Sequence, residues 1–291
     1  MSLLRFSPVS RAVPVAVAFA LCVTIAVPDA SAVDYGFASR SAAKWLAGRV
    51  HRDTGFVDSY ADAEDVCYTY DQSLAAIAFL ARNDAARAKT VLDALRKLQQ
   101  EDGSWYTAYR CGTLAAHETA RHVGPALWVA LAAREYAAKT RDARRYAAMA
   151  ERAADWALTF QRGDGGIDGG RDFDGSVLTW ASTEHNIDAY PVLRWLGRDA
   201  EAARVKAFLD DHAWDDREGY FRGGRDDPRD PLDVNAWGVA ALGGSGTHLY
   251  SRAVDYAGAH HRATISRKSG RRTTAVDGFD FDSNRDDVWL E

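Results

Sequence analysis

The sequence predicts an all-α fold, a two-layered barrel of helical hairpins or an arc of one. Three observations carry this. From Ala38 onward apolar residues recur at helical spacing with alanine abundant, and runs of alternating β-branched residues are absent. A glycine-bearing loop signature returns every 48 to 63 residues. The helices between these loops alternate in character, some apolar nearly all round and others basic along one face.

In chain order, the periodicity places helices at 41–50, 71–82, 85–100, 125–139, 142–161, 184–196, 200–212, 233–242 and 248–261. Between them stand DTGF at Asp53, EDGSW at Glu101, GDGGI at Gly163, DREGYF at Asp216 and VDGFDF at Val276. Each interval holds two helices and a turn, which reads as a repeated helical hairpin. The signature glycines, Gly55, Gly103, Gly166, Gly219 and Gly278, suit positions of positive φ beyond a helix end. Twice the loop reads Gln-x-x-Asp-Gly, from Gln99 and from Gln161. The helices at 71–82, 125–136 and 233–242 are the all-round apolar ones and belong inside. Those at 85–100 and 142–161 carry arginine and lysine on one face and belong outside.

The first 32 residues read differently. Arg5 and Arg11 precede the apolar run 13–27, and Ala30-Ser31-Ala32 forms a small-residue cleavage site, the order of a secretory signal peptide. The domain is then 33–291, exported as a secreted or periplasmic protein; no later run approaches the ~20 apolar residues of a membrane span. Cleavage would remove two arginines and one aspartate from 36 basic and 41 acidic residues, leaving a net charge of −6. That mildly acidic balance gives no reason to expect nucleic acid or an anionic membrane as partner. Cys67 and Cys111 remain in the mature chain, and an even pair in an oxidising compartment is most simply a disulfide.

The stretches 68–80 (YTYDQSLAAIAFL), 124–131 (GPALWVAL), 182–193 (STEHNIDAYPVL), 232–242 (LDVNAWGVAAL) and 278–291 (GFDFDSNRDDVWLE) carry a resemblance by their order and spacing. Together they resemble the bacterial six-hairpin glycosidase-like proteins, which form an (α/α)6 toroid. The resemblance spans essentially the whole mature chain. It implies fold more than function, since this toroid also carries lyases and epimerases. A complete toroid has twelve helices, whereas the chain shows about nine to ten, the last only starting at Asp287. An incomplete, open ring is therefore expected, with the basic stretch 262–272 as a solvated loop.

In an α/α barrel the starts of the inner helices converge on one funnel. Asp71, Glu184 and Asp233 each open such a helix, and glycoside hydrolysis needs two carboxyl groups, one protonated and one ionised. Each also suits a helix cap. Glu184 is expected as the acid, because a longer side chain among aromatics such as Trp180 is easier to keep protonated; Asp71 is then the base or nucleophile. Tyr70, Gln72, His185, Asn186 and Asn235 are candidates to bind sugar hydroxyls, and Trp105, Trp180 and Trp237 to stack on sugar faces.

No cofactor or metal is expected. His117, Glu118 and His122 lack the HExxH order, and Arg285 stands where a calcium loop after Asp280 needs glycine. The expected function is an exported, monomeric glycoside hydrolase acting on a polysaccharide or oligosaccharide by a two-carboxylate mechanism. The alternatives are a polysaccharide lyase, with Tyr70 or His185 as base and an asparagine neutralising a uronate, and a non-catalytic carbohydrate-binding protein.

Overall fold

The computed structural model describes residues 35–61, 65–243, 250–269 and 272–284. The expected signal peptide, its expected cleavage site near Ala32 and the expected tenth helix lie outside them. Residues up to Arg40 group apart from a unit that begins at Ser41 and holds the architecture.

Among the described residues the helices are α1 (Tyr35–Ala47), α2 (Thr69–Ala81), α3 (Ala85–Leu98), α4 (Val123–Thr140), α5 (Ala147–Leu158), α6 (Thr183–Trp195), α7 (Asp199–Phe208), α8 (Leu232–Leu242) and α9 (Arg252–His260). Local chemistry sets several ends. The Asp84 side chain accepts from Arg87 N and caps α3; Ser182 does the same for α6 through His185 N. The expected helix 142–161 starts late, at Ala147. Arg141 closes α4 at a φ of 61°, and the turn after it is anchored because the buried Tyr146 bonds its hydroxyl to Asp93 at 3.0 Å and to the Lys89 carbonyl at 3.2 Å on α3.

Inner helices α2, α4, α6 and α8 pack in succession, and α3, α5, α7 and α9 cover them from outside. Small side chains permit the close approach: Ala75, Ala76, Ala126, Ala130 and Ala133 are all buried in the core. Every outer-to-inner connection is long and gathers at one end of the barrel, whereas the opposite turns at 82–84 and 196–198 are tight.

The long loops repeat one device. Gly55, Gly103, Gly165 and Gly219 adopt φ values of 81°, 98°, 91° and 82°. Each loop closes on the next outer helix: a Cβ on Gly103 would stand 2.2 Å from the Arg152 carbonyl oxygen of α5, and one on Gly165 2.1 Å from that of Arg204 on α7. Only glycine fits there. The Gln99 amide bridges the Gly103 and Met149 carbonyls at 2.9 Å each, and Gln161 bridges those of Gly165 (2.9 Å) and Glu201 (3.2 Å).

The same loops fix the inner helices. The first N–H of α2 donates to Thr107 O, that of α4 to Gly169 O, that of α6 to Gly223 O and that of α8 to Phe281 O, at 2.7 to 3.0 Å. Each inner helix thus hangs from the following loop, in one common register. Short strands repeat the pattern at the rim: β1 (Val66–Tyr68) pairs with β2 (Ala108–Arg110), which pairs with β3 (Ala116–Glu118), and β4 (Arg121–His122) joins β5 (Gly170–Arg171) and β6 (Val177–Leu178). The disulfide forms as expected, Cys67 to Cys111 with Cα atoms 5.3 Å apart.

Two expectations change. In the third loop the positive φ belongs to Gly165, not Gly166, and Gly278 has none because it lies in a strand. The basic stretch is no loop. After β7 (Trp214–Asp215) and β8 (Tyr220–Phe221), the segment that follows α9 forms an antiparallel ribbon, β9 (Arg262–Ser269) with β10 (Arg272–Phe279). No helix of the described residues is long and apolar enough to cross a membrane.

Candidate active site

The common register decides which side chains face the barrel axis. Counting from the anchored residues Thr69, Val123, Thr183 and Leu232, the next position holds Tyr70, Gly124, Glu184 and Asp233. One helical turn deeper stand Leu74, Trp128, Asp188 and Trp237. The contacts agree with this row. Trp128 packs edge-on against Tyr70 at 5.2 Å and against Trp237 at 4.5 Å between ring centroids, joining α2, α4 and α8 across the axis.

Three carboxyl groups converge on these rings. Burial pushes the Tyr70 hydroxyl up to about 12, reinforced by the charges of Glu184, Asp188, Asp233 and Asp71 in that order. Asp188, absent from the expected set, is wholly buried and neither of its oxygens closes a hydrogen bond. Burial, then the Glu184 charge and less strongly Asp233, raise its pKa well above the ordinary carboxylate value. The Trp128 indole N–H stands near enough to favour the anion but closes no bond. Asp188 accordingly favours its protonated form, one helical turn below Glu184 and close enough to feel the charges of Glu184 and Asp233. Burial raises Asp233 as well, against the backbone N–H of Val234, which donates to it at 2.8 Å.

Asp71 is placed otherwise. It stands one residue beyond the axis row, accepts a hydrogen bond from Ser59, and lines a cavity of about 220 Å3 with Trp45, Leu46, Ala75 and Ala78. Although adjacent in sequence to Tyr70, it acts on that ring less than Glu184, Asp188 or Asp233, and it is not among the charges that act on Asp188. The partner for Glu184 in this row is Asp233.

Four further expectations are corrected. Gln72, Asn186 and Asn235 are fully buried, and their amides are taken up by backbone. Gln72 accepts from Val57 N at 2.7 Å, Asn186 from Ile167 N at 2.8 Å and Asn235 from Phe221 N at 2.7 Å; each returns a hydrogen bond to the same residue's carbonyl. They clamp the loops: both amide hydrogens of each are used on backbone carbonyls, and the side chains are shut off from any sugar by burial. Trp105 is core, 2% exposed, with its indole N–H on Leu95 O at 2.7 Å.

His185 lies against Gly124, where no Cβ would fit, and its ring is 5.3 Å from Trp180, itself 6.1 Å from His122. Desolvation, with a smaller contribution from His122, pushes the His185 pKa down to about 3, and its buried Nδ1 has no partner. Trp180 is 43% exposed at the rim, as a stacking platform needs. Asp188 had a signal in the sequence, since it follows Glu184 by four residues on one helical face.

No protein-family model matches the sequence, and no curated protein matches it. Solved structures share its fold. A sugar epimerase from a ruminal bacterium is 14% identical over 82% of this chain and 72% of that one, with a TM-score of 0.63. Cellobiose 2-epimerase from Bacillus thermoamylovorans is 11% identical over 84% and 72%, also at 0.63. A wild-type glycosidase is 12% identical over 79% and 71%, at 0.61. Such identities establish the fold, an incomplete (α/α)6-type toroid, and bear out that part of the resemblance.

Proposed function

We propose that the chain is an exported carbohydrate-active enzyme, with 33–291 as its single domain, and that it works as a glycoside hydrolase. One observation carries this reading: the charges of Glu184 and Asp233 act together on Tyr70 and on the buried Asp188, beside the packed rings of Tyr70, Trp128 and Trp237. A glycosidic bond needs a proton on its leaving oxygen and an ionised carboxylate at the anomeric carbon. Asp233, raised by burial, suits the acid and Glu184 the base or nucleophile, which reverses the role expected for Glu184 and replaces Asp71. The Asp233 proton would pass to the leaving oxygen as its bond to carbon breaks. Glu184 would take the proton of the attacking water or bond to carbon itself. The neutral Asp188 adds no third negative charge. Trp180 would hold a sugar face at the rim.

The fold neighbours named above as a glycosidase and as sugar epimerases support a sugar substrate. A second reading, epimerisation or isomerisation, would use His185, an imidazole with an unpartnered nitrogen next to the Trp180 ring, to exchange a proton with a sugar carbon once a bound sugar had raised its basicity. The lyase reading loses support because Asn186 and Asn235 are bound to backbone.

The test is turnover of polysaccharides and oligosaccharides, followed by reducing-sugar release and by carbon-bound deuterium uptake. Under the hydrolase reading Glu184→Gln and Asp233→Asn each lower reducing-sugar release by about 100-fold or more, while Asp71→Asn keeps most of it. Deuterium uptake without bond cleavage, lost in a His185→Ala variant, would establish the second reading instead.

A further inference from the structure

The ribbon β9–β10 takes no part in the proposed site, yet it leaves the barrel at the same end. Its root is tied there twice. The Asp280 N–H donates to the His261 carbonyl at 2.7 Å, and the Phe281 carbonyl accepts from Leu232 N at 2.7 Å, one residue before Asp233. Beyond the root the ribbon stands in solvent: among its described side chains Ala263, Ile265 and Phe279 are partly covered, and Thr264, Ser266, Arg267, Lys268 and Thr273–Asp277 are exposed.

Its charge is unlike that of the chain. The span 262–279 holds five arginine or lysine residues and one acid, in a protein of net charge −5. The one acid, Asp277, accepts from Thr264 at 2.7 Å. Arg262 lies over the Phe279 ring at 5.5 Å, and Arg267 and Lys268 meet no carboxylate among the described residues. A bare two-stranded ribbon is marginal in stability, and a few scattered charges suffice to protect its edges. Among the described side chains Arg267 and Lys268 stand exposed and adjacent, so their like charges repel one another and fit a polyanion. Cross-strand pairing sets Lys268 beside Thr273, with Ser266 on the same side, and Arg267 beside Thr274 on the other. Thr264 and Ser266 thus stand between Arg262 at the root and Lys268 at the far end, along a ribbon about 20 Å long.

We propose that this ribbon is a docking arm for an anionic polysaccharide, a polymer bearing carboxylate or sulfate groups, which it leads to the mouth beside Asp233. The choice of a polysaccharide among polyanions rests on the carbohydrate reading of the site. Docking itself is independent of turnover. A polymer held at the root lies next to the Asp233 carboxyl.

Affinity electrophoresis of the full chain tests this, in gels containing polygalacturonate, chondroitin sulfate or a neutral glucan, with duplex DNA as competitor. Expected is retardation by one or both acidic polymers and none by the glucan, diminishing with salt. The double variant Arg267→Glu/Lys268→Glu, checked for an unchanged circular dichroism spectrum and Tm, should bind the acidic polymer about tenfold more weakly or worse. Polygalacturonate alone, or chondroitin sulfate alone, would name the anionic group. Equal mobility in acidic and neutral gels, undiminished retardation of the double variant, or displacement by DNA at lower concentration than by polysaccharide would each overturn the proposal. Glu184→Gln should bind as wild type does. If it also kept full turnover, the hydrolase reading would fail while the arm stood.

Discussion

Replacing Asn186 by alanine separates a loop clamp from a sugar ligand. Asn186 is fully buried, accepts from Ile167 N at 2.8 Å, and donates to Ile167 O at 3.1 Å and Ser182 O at 2.8 Å. Ile167 is fully buried too, so alanine would strand its N–H and C=O together away from water. Each stranded group costs about 1–3 kcal/mol, hence about 2–6 kcal/mol for the pair. Against a stability of ~5–15 kcal/mol that is a severe loss. Urea denaturation would read it as a fall in the midpoint at unchanged slope. Asn235→Ala, which strands Phe221 in the same manner, should lose a similar amount. A change below about 0.5 kcal/mol, accompanied by weaker binding of a saccharide, would refute the clamp and restore Asn186 as a ligand.

Two other outcomes follow from the geometry. The disulfide closes a span of 44 residues, so a Cys67→Ala/Cys111→Ala variant should lose about 4 kcal/mol in the chain-entropy model, measured by denaturant titration. A loss under 1 kcal/mol would mean that the unfolded chain is already constrained there. Asp188 binds its proton more tightly folded than unfolded, so its contribution is complete below the unfolded value of ~3.9 and is lost as pH rises through the folded value. Asp188→Asn, which mimics the neutral acid, should match wild type near pH 3 and exceed it in Tm at pH 8; a wild type that is the more stable at pH 8 would show an ionised, paired Asp188.

Much of the fold was legible because it rests on local patterns. Helical spacing located α2, α3, α4, α6 and α8 within about two residues, and the Gln-x-x-Asp-Gly loops announced hairpins that dock on neighbouring helices. The ribbon escaped notice since Arg262–Ser269 has no strongly apolar alternation, being exposed on both sides. Glu184, Asp233, Tyr70, Trp180 and Trp237 were singled out by residue type and helix position, and the register sets Tyr70, Glu184 and Asp233 in one row with Trp237 a turn deeper. Asn186, Asn235 and Gln72 were misread because a polar residue in the first turn of an inner helix has the same signature whether it meets a ligand or a loop backbone.

Periodicity, glycine placement and the paired cysteines indicated from the chain alone that helical hairpins would repeat and that Cys67 would bond to Cys111. These depend on preferences within a few residues or on one covalent bond. Which carboxyl group shares the axis with Glu184 could only be decided in three dimensions. Asp71 and Asp233 look alike as helix openers, and the difference is a rotation of one residue, about 100°, set by the loop carbonyl from which each helix hangs. Burial did the rest. Burial and the Glu184 charge push the Asp188 pKa well above the ordinary carboxylate value, and no stretch of LTWASTEHNIDAY could show that burial.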